Sequence, residues 1–181
     1  MKEDTSLSKE QIIQACVEKR FKTLHLPFVT NRQLHHWKAT GLLNEHRELA
    51  SSGKKNEFDF FEVVWIRCIV LMRSFGIDNL LIAKVNKDIT GKDQDSKDTL
   101  LSIFQNKIAE ALFRKQGSFL LVSEQGDGRL LSKEMYSKAI KDSLIRHHLS
   151  LDIAPLIKEI LLLLDFDIHI QRITNYYLDK E

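Results

Sequence analysis

The chain predicts a mainly α-helical fold with short β-hairpins, and three observations carry that expectation. Apolar residues recur at helical spacing in Ile12-Ile13-Cys16-Val17, in Val63-Ile66-Val70 and in Ile103-Phe104-Ile108-Leu112, each the inward stripe of an amphipathic helix. Ser8, Thr30 and Asp59 each stand three positions before a Gln or Glu, the spacing at which a cap residue and a first-turn side chain satisfy each other's backbone. Phe119-Leu120-Leu121-Val122 and Arg129-Leu130-Leu131 flank Gly126-Asp127-Gly128, a strand, turn and strand pattern.

The elements follow in order. Ser8 caps a helix to Arg20, and Pro27 keeps His25-Leu26-Pro27-Phe28 extended. Thr30, with Gln33, caps a second helix whose inward residues are Leu34 and Trp37; Gly41 supplies the left-handed stop, and Leu42-Leu43 packs back. Residues 44–58 are polar and contain Gly53, a loop or short hairpin. Asp59 caps a long helix with Val63, Ile66, Val70 and Phe75 on one face, widened by Ile69 and Met72, and Gly76 ends it. Asp78 caps a helix from Asn79 to about Lys87.

Residues 89–97 are polar and turn-rich, so the expected domains are 1–89 and 98–181 with a linker at 90–97. The second segment reads as a small α+β or helical domain. It holds a helix through Leu100, Ile103, Phe104, Ile108, Ala111 and Leu112, then the hairpin, then a helix from Ser132 to about His147 with Tyr136, Ile140 and Leu144 on its apolar side. Leu149, Leu151 and Ile153 alternate with polar residues as a strand, Pro155 suits the first turn of the next helix, and the tail from Asp167 leans helical.

Composition narrows the function classes. The 181 residues are 43% apolar and 29% charged, a globular balance. No apolar run approaches the ~18 residues that span a bilayer; the densest, Ile160 to Leu164, ends at Asp165. The N-terminus lacks the apolar core of a secretory signal, and Cys16 and Cys68 stand too far apart for a Cys-x-x-Cys site, so a cytoplasmic setting without disulfide, metal or cofactor is expected. The net charge is +2, but residues 1–92 carry 15 Lys/Arg against 11 Asp/Glu while residues 93–181 carry 12 against 14, which turns the first half toward a polyanion. No nucleophile, base and orienting group fall into a recognisable set, Gly126-x-Gly128 lacks the third glycine and following lysine of a phosphate loop, and His147-His148 point about 100° apart on a helix, so neither an enzyme nor a metal site is expected.

The segment from Val29 to Ile82 resembles the winged helix-turn-helix of the mercury-resistance-regulator (MerR) family. The likeness rests on Val29-Thr30-Asn31-Arg32-Gln33-Leu34-His35-His36-Trp37-Lys38-Ala39-Thr40-Gly41-Leu42-Leu43, on Arg47 shortly after the leucine pair, and on Phe58-Asp59 leading to Arg73-Ser74-Phe75-Gly76-Ile77. It covers less than a third of the chain. The family's Arg-Tyr-Tyr is His35-His36-Trp37 here, and the wing arginine usual near Asn56 is absent, with Lys54 and Lys55 beside it. The resemblance implies a recognition helix and a wing on double-stranded DNA, with Thr30, Arg32, Gln33, His35, His36, Trp37, Lys38, Arg47, Lys54, Lys55 and Asn56 as candidate contacts.

Arg32 suits a bidentate contact to guanine, Gln33 one to adenine, and Lys38 a phosphate. The expected protein is a sequence-specific transcription regulator acting as a homodimer, with a small-molecule or protein effector at the C-terminal segment. The alternatives are an accessory factor for recombination or excision with the same winged helix, and a protein-interaction module that has lost DNA binding.

Overall fold

A computed structural model describes residues 8–43, 56–90, 102–114, 117–145 and 147–164. The fold is mainly helical with two small antiparallel sheets. Helix α1 spans Lys9–Glu18, α2 Asn31–Ala39, α3 Phe60–Ser74, α4 Asn79–Thr90, α5 Ile103–Arg114, α6 Lys133–Lys141 and α7 Ile153–Leu163. Strands β1 (Phe21–Lys22) and β2 (Glu57–Phe58) form one sheet, while β3 (Ser118–Ser123), β4 (Gly128–Ser132) and β5 (His148–Asp152) form the other in the order β4-β3-β5.

The helix starts follow local chemistry. Ser8 with Gln11, Thr30 with Gln33, and Asp59 with Glu62 each form the reciprocal capping box, and Ser102 with Gln105 forms a fourth. Two of the ends are glycine turns. Gly41 sits at φ +74, where the Leu42 amide donates to the Trp37 carbonyl, and Gly76 at φ +82, where the Ile77 amide donates to the Met72 carbonyl. Both are left-handed stops that bond backward into the last turn.

α3 is the centre of the molecule. Phe60, Phe61, Val63, Val64, Trp65, Ile66, Cys68, Ile69 and Met72 are all buried, so this helix is apolar around most of its circumference. α1, α4, α5 and α7 surround it. The Trp65 and Phe104 rings meet edge-on at 5.8 Å, and Arg67 donates from Nε and Nη2 to Glu159 at 3.1 Å, fixing α7 to α3. One hydrophobic cluster runs from Ile12 to Leu164, and residues on both sides of the expected linker share it. Thr90, placed in that linker, is the last residue of α4, and Ile89 is buried in the core; residues 91–97 lie outside the described residues.

The hairpin β3–β4 is clamped onto α4. Lys84 Nζ donates to the Gln125 carbonyl at 2.9 Å and to Asp127 at 2.7 Å, and the Gly128 amide donates to Asp88 at 2.9 Å. The approach is so close that a Cβ on Gly128 would lie 2.7 Å from Val85 Cγ1 and 3.2 Å from its Cα. The hairpin reading of Gly126-Asp127-Gly128 therefore holds, and packing supplies the reason for Gly128.

Several expectations change. His25 belongs to a 3₁₀ turn, Thr23–His25, rather than an extended segment. Within residues 44–58 the described strand, β2, pairs with β1 across the chain (Phe21 opposite Phe58); residues 44–55 lie outside the described residues. Phe75 is not on the buried face of α3: it follows the last helical residue and is 62% exposed. α6 stops at Lys141 because Ser143 takes a left-handed conformation (φ 53), well short of His147. Leu100 and the tail from Asp167 fall outside the described residues. Among the described residues, no helix is long and apolar enough to cross a membrane.

Candidate nucleic-acid interface

α2 is positioned by its inner face and by both ends. Leu34 and Trp37, three apart, are buried, as are Leu42 and Leu43 beyond the Gly41 turn. At the C-terminal end the Asn86 amide donates to the Gly41 carbonyl at 3.1 Å, and the Trp65 indole donates to the Leu42 carbonyl at 2.8 Å. At the N-terminal end the Asn56 amide donates to the Asn31 side-chain oxygen at 3.2 Å. Three separate elements thus hold one short helix, whose own propensity would leave it marginal at nine residues.

The outer face is left to solvent. Arg32, His35 and His36 are exposed, Lys38 is half-buried, and α2 contains no carboxylate. Arg32 stands one turn from His35 and His36 on the outer face, with Lys38 at its edge, a spread that can reach both phosphates and base edges.

Three candidates are placed differently from expectation. Trp37, 4% exposed, is an anchor of the core with almost no surface to offer a duplex. Asn56, 6% exposed, is a buried brace for the start of α2 rather than a wing contact. Gln33 uses its side-chain oxygen to accept from the Thr30 amide at 2.8 Å and the Thr30 hydroxyl at 2.9 Å, so the bidentate adenine contact would cost the cap. Thr30 is exposed but its hydroxyl accepts from the Gln33 amide, which makes it the other half of that cap. Arg47, Lys54 and Lys55 lie outside the described residues.

The structure adds two residues that sequence reasoning missed. A hollow of about 270 Å³ beside α2 is lined by Gln33, His36, Trp37, Val70, Arg73 and Asn79. Arg73 Nη1 donates to the Ile77 carbonyl at 2.8 Å, which steers the exposed guanidinium along the α3–α4 corner. Asn79 Nδ2 lies 3.1 Å from His36 Nε2, and Asn79 Oδ1 is buried without a partner. In this arrangement an unprotonated ring nitrogen accepts from the amide; a half-turn of the amide lets a protonated ring donate to Oδ1 instead. Among the described residues no carboxylate lines the hollow, so arginine, histidine and amide together suit a single phosphate. Arg73 belongs to the motif that carries the family likeness, but nothing in the local sequence brings it or Asn79 to α2, because they reach it only through the α3–α4 turn.

The other groups considered are accounted for structurally. Cys16 and Cys68 are buried free thiols; burial raises both, Cys68 to about 12. His147 approaches Glu124 at 3.7 Å, and His148 meets the Tyr136 ring edge-on. Among the described residues no group of three or more His, Cys, Asp or Glu is arranged to hold a metal ion.

No family model, curated protein or solved structure matches this chain.

Proposed function

We propose that this protein binds double-stranded DNA sequence-specifically through α2, as a transcription regulator of MerR-like winged-helix type acting as a homodimer. The observation that carries the reading is the two-sided character of α2. Its inner residues Leu34 and Trp37 are buried and its ends are tied by Asn56, Asn86 and Trp65, while Arg32, His35 and His36 face away with half-buried Lys38 at their edge and no carboxylate among them. A helix held so firmly for the sake of a polar, basic face suits a rigid anionic partner. Arg32 would read a base edge, Lys38 would meet a phosphate, and His36 with Arg73 and Asn79 would seat another. In a homodimer, two such helices would address half-sites about one helical turn apart. Selection of binding sites from a random duplex pool tests this: an enriched, inverted-repeat site is expected, and failure to enrich any sequence would overturn sequence specificity.

The second reading, a protein-interaction module, is favoured by Phe75 (62% exposed) and Leu80 (83% exposed). Both are large apolar side chains at the α3–α4 corner beside Arg73 and Asn79. A protein partner would cover them, whereas phosphates would not.

A further inference from the structure

The sheet β4-β3-β5 has two unlike faces. Leu120 and Val122 of β3 turn into the core, while Phe119, Leu121 and Ser123 turn the other way, toward α6. α6 covers that outer face incompletely. It contributes no buried residue, and Phe119 stacks on Tyr136 at 4.4 Å near its start. Farther along, a groove of about 560 Å³ opens between helix and sheet, within the roughly 300–1,000 Å³ of ligand clefts. Leu121 and Leu131 line it from the strands, and Ala139, Leu144 and Ile145 from α6 and the segment after it.

Two features of the groove point to its occupant. The first is apolar surface held open. α6 ends in a left-handed turn at the non-glycine Ser143, and the Leu144 amide donates back to the Ala139 carbonyl at 2.9 Å. In such a turn the residue at the Leu144 position ordinarily packs against the helix end. Here Leu144 is 76% exposed on the groove.

The second is an excess of positive charge. Among the described residues the cations Arg129 and Lys138 and the imidazole of His148 line the groove with a single carboxylate, Asp127. That carboxylate is already held by Lys84 at 2.7 Å and approached by the Ser123 hydroxyl at 3.3 Å. Among the described residues the side chains of Arg129 and Lys138 make no hydrogen bond or ion pair, although Arg129 helps to lower the Asp127 carboxyl at longer range, and His148 Nδ1 is buried without a partner.

We propose that this groove binds an amphipathic small-molecule anion, a carboxylate on an aliphatic chain, with the chain along Leu121, Leu131 and Leu144 and the carboxylate between Arg129 and Lys138. The proposal is independent of DNA binding, since no residue of α2 takes part.

Decanoate, below its critical micelle concentration, and decanol as its neutral counterpart are titrated into the full chain by calorimetry. Decanoate is expected to bind saturably, and decanol about tenfold or more weaker, the effect of losing one charge-assisted contact. Arg129→Gln with Lys138→Gln, both at exposed positions, should bring decanoate down to the level of decanol while leaving decanol unchanged. Leu144→Asp should weaken both ligands. Circular dichroism verifies that each variant is folded. Absence of saturable decanoate binding, or decanoate binding unchanged in the Arg129/Lys138 variant, would overturn the proposal.

Discussion

The Trp65 indole donates to the Leu42 carbonyl across 2.8 Å, joining the buried central helix α3 to the turn that ends α2. Trp65 is 6% exposed, so its loss leaves a carbonyl without a partner in a dry setting. Trp65→Phe keeps most of the ring's packing on Phe104 and removes the donor. The expected cost is about 1–3 kcal/mol, read from urea unfolding. A variant as stable as the wild type would show that the bond does not hold the turn.

Gly128 and Gly76 should both resist alanine, for different reasons. At Gly128 the added methyl meets Val85, at 2.7 Å from Cγ1, with a cost of about 1–3 kcal/mol for overpacking. At Gly76 nothing lies within 4 Å, and the cost, about 1–2 kcal/mol, comes from φ +82 alone. Combining each with Val85→Ala separates the two: Gly128→Ala should be partly relieved in the double variant and Gly76→Ala should not. Strict additivity in both cycles would contradict the close-approach explanation.

The Lys84–Asp127 link predicts an acid dependence. The hydrogen bond and charge of Lys84 hold the Asp127 carboxyl below its ordinary value of 3.8. A carboxyl whose folded-state pKa is depressed adds stability above its unfolded value and loses it as pH falls through the folded one. Asp127→Asn should therefore be less stable than wild type at neutral pH, with the gap closing as the pH drops below 3.8. Both side chains are about half exposed, so the gap should be small and should shrink in salt. A gap that persists unchanged into strong acid would contradict the assignment.

The cysteines should be silent in the folded protein. Both are buried and their thiols are pushed upward, Cys68 to about 12. At mildly alkaline pH a disulfide reagent should find no fast-reacting thiol until denaturant is added, and then two. A thiol that reacts quickly in native buffer would show that α1 or α3 opens locally.

What the sequence disclosed and what it hid divide along the range of the interactions. The capping boxes at Ser8, Thr30 and Asp59, and the stops at Gly41 and Gly76, are settled by residues no more than five positions apart, and each forms where expected. The pairing of Phe21 with Phe58 and the addition of β5 to β3 join distant segments, and no local pattern announces them. The same distinction explains the candidate interface. Arg32, His35 and His36 follow from helical phase and stand exposed, whereas polar Asn56 read as an exposed wing residue and is buried because Asn31 lies across from it. Arg73 and Asn79 reach α2 only because α3 and α4 meet at a tight corner. Ile89 stays helical because the core extends to it, although its neighbours in sequence are turn-formers.

The most direct test of the central claim is a salt titration of duplex binding by the full chain, followed by fluorescence anisotropy. Log affinity should fall linearly with log salt, with a slope lower by about 0.9 for each phosphate contact removed in Lys38→Ala and Arg73→Ala, and Arg32→Ala should lose about 1–3 kcal/mol at preferred sequences alone. Absence of binding to any duplex at low salt, or a slope unmoved by both Lys38→Ala and Arg73→Ala, would contradict that claim and favour the apolar corner at Phe75 and Leu80 as the working surface.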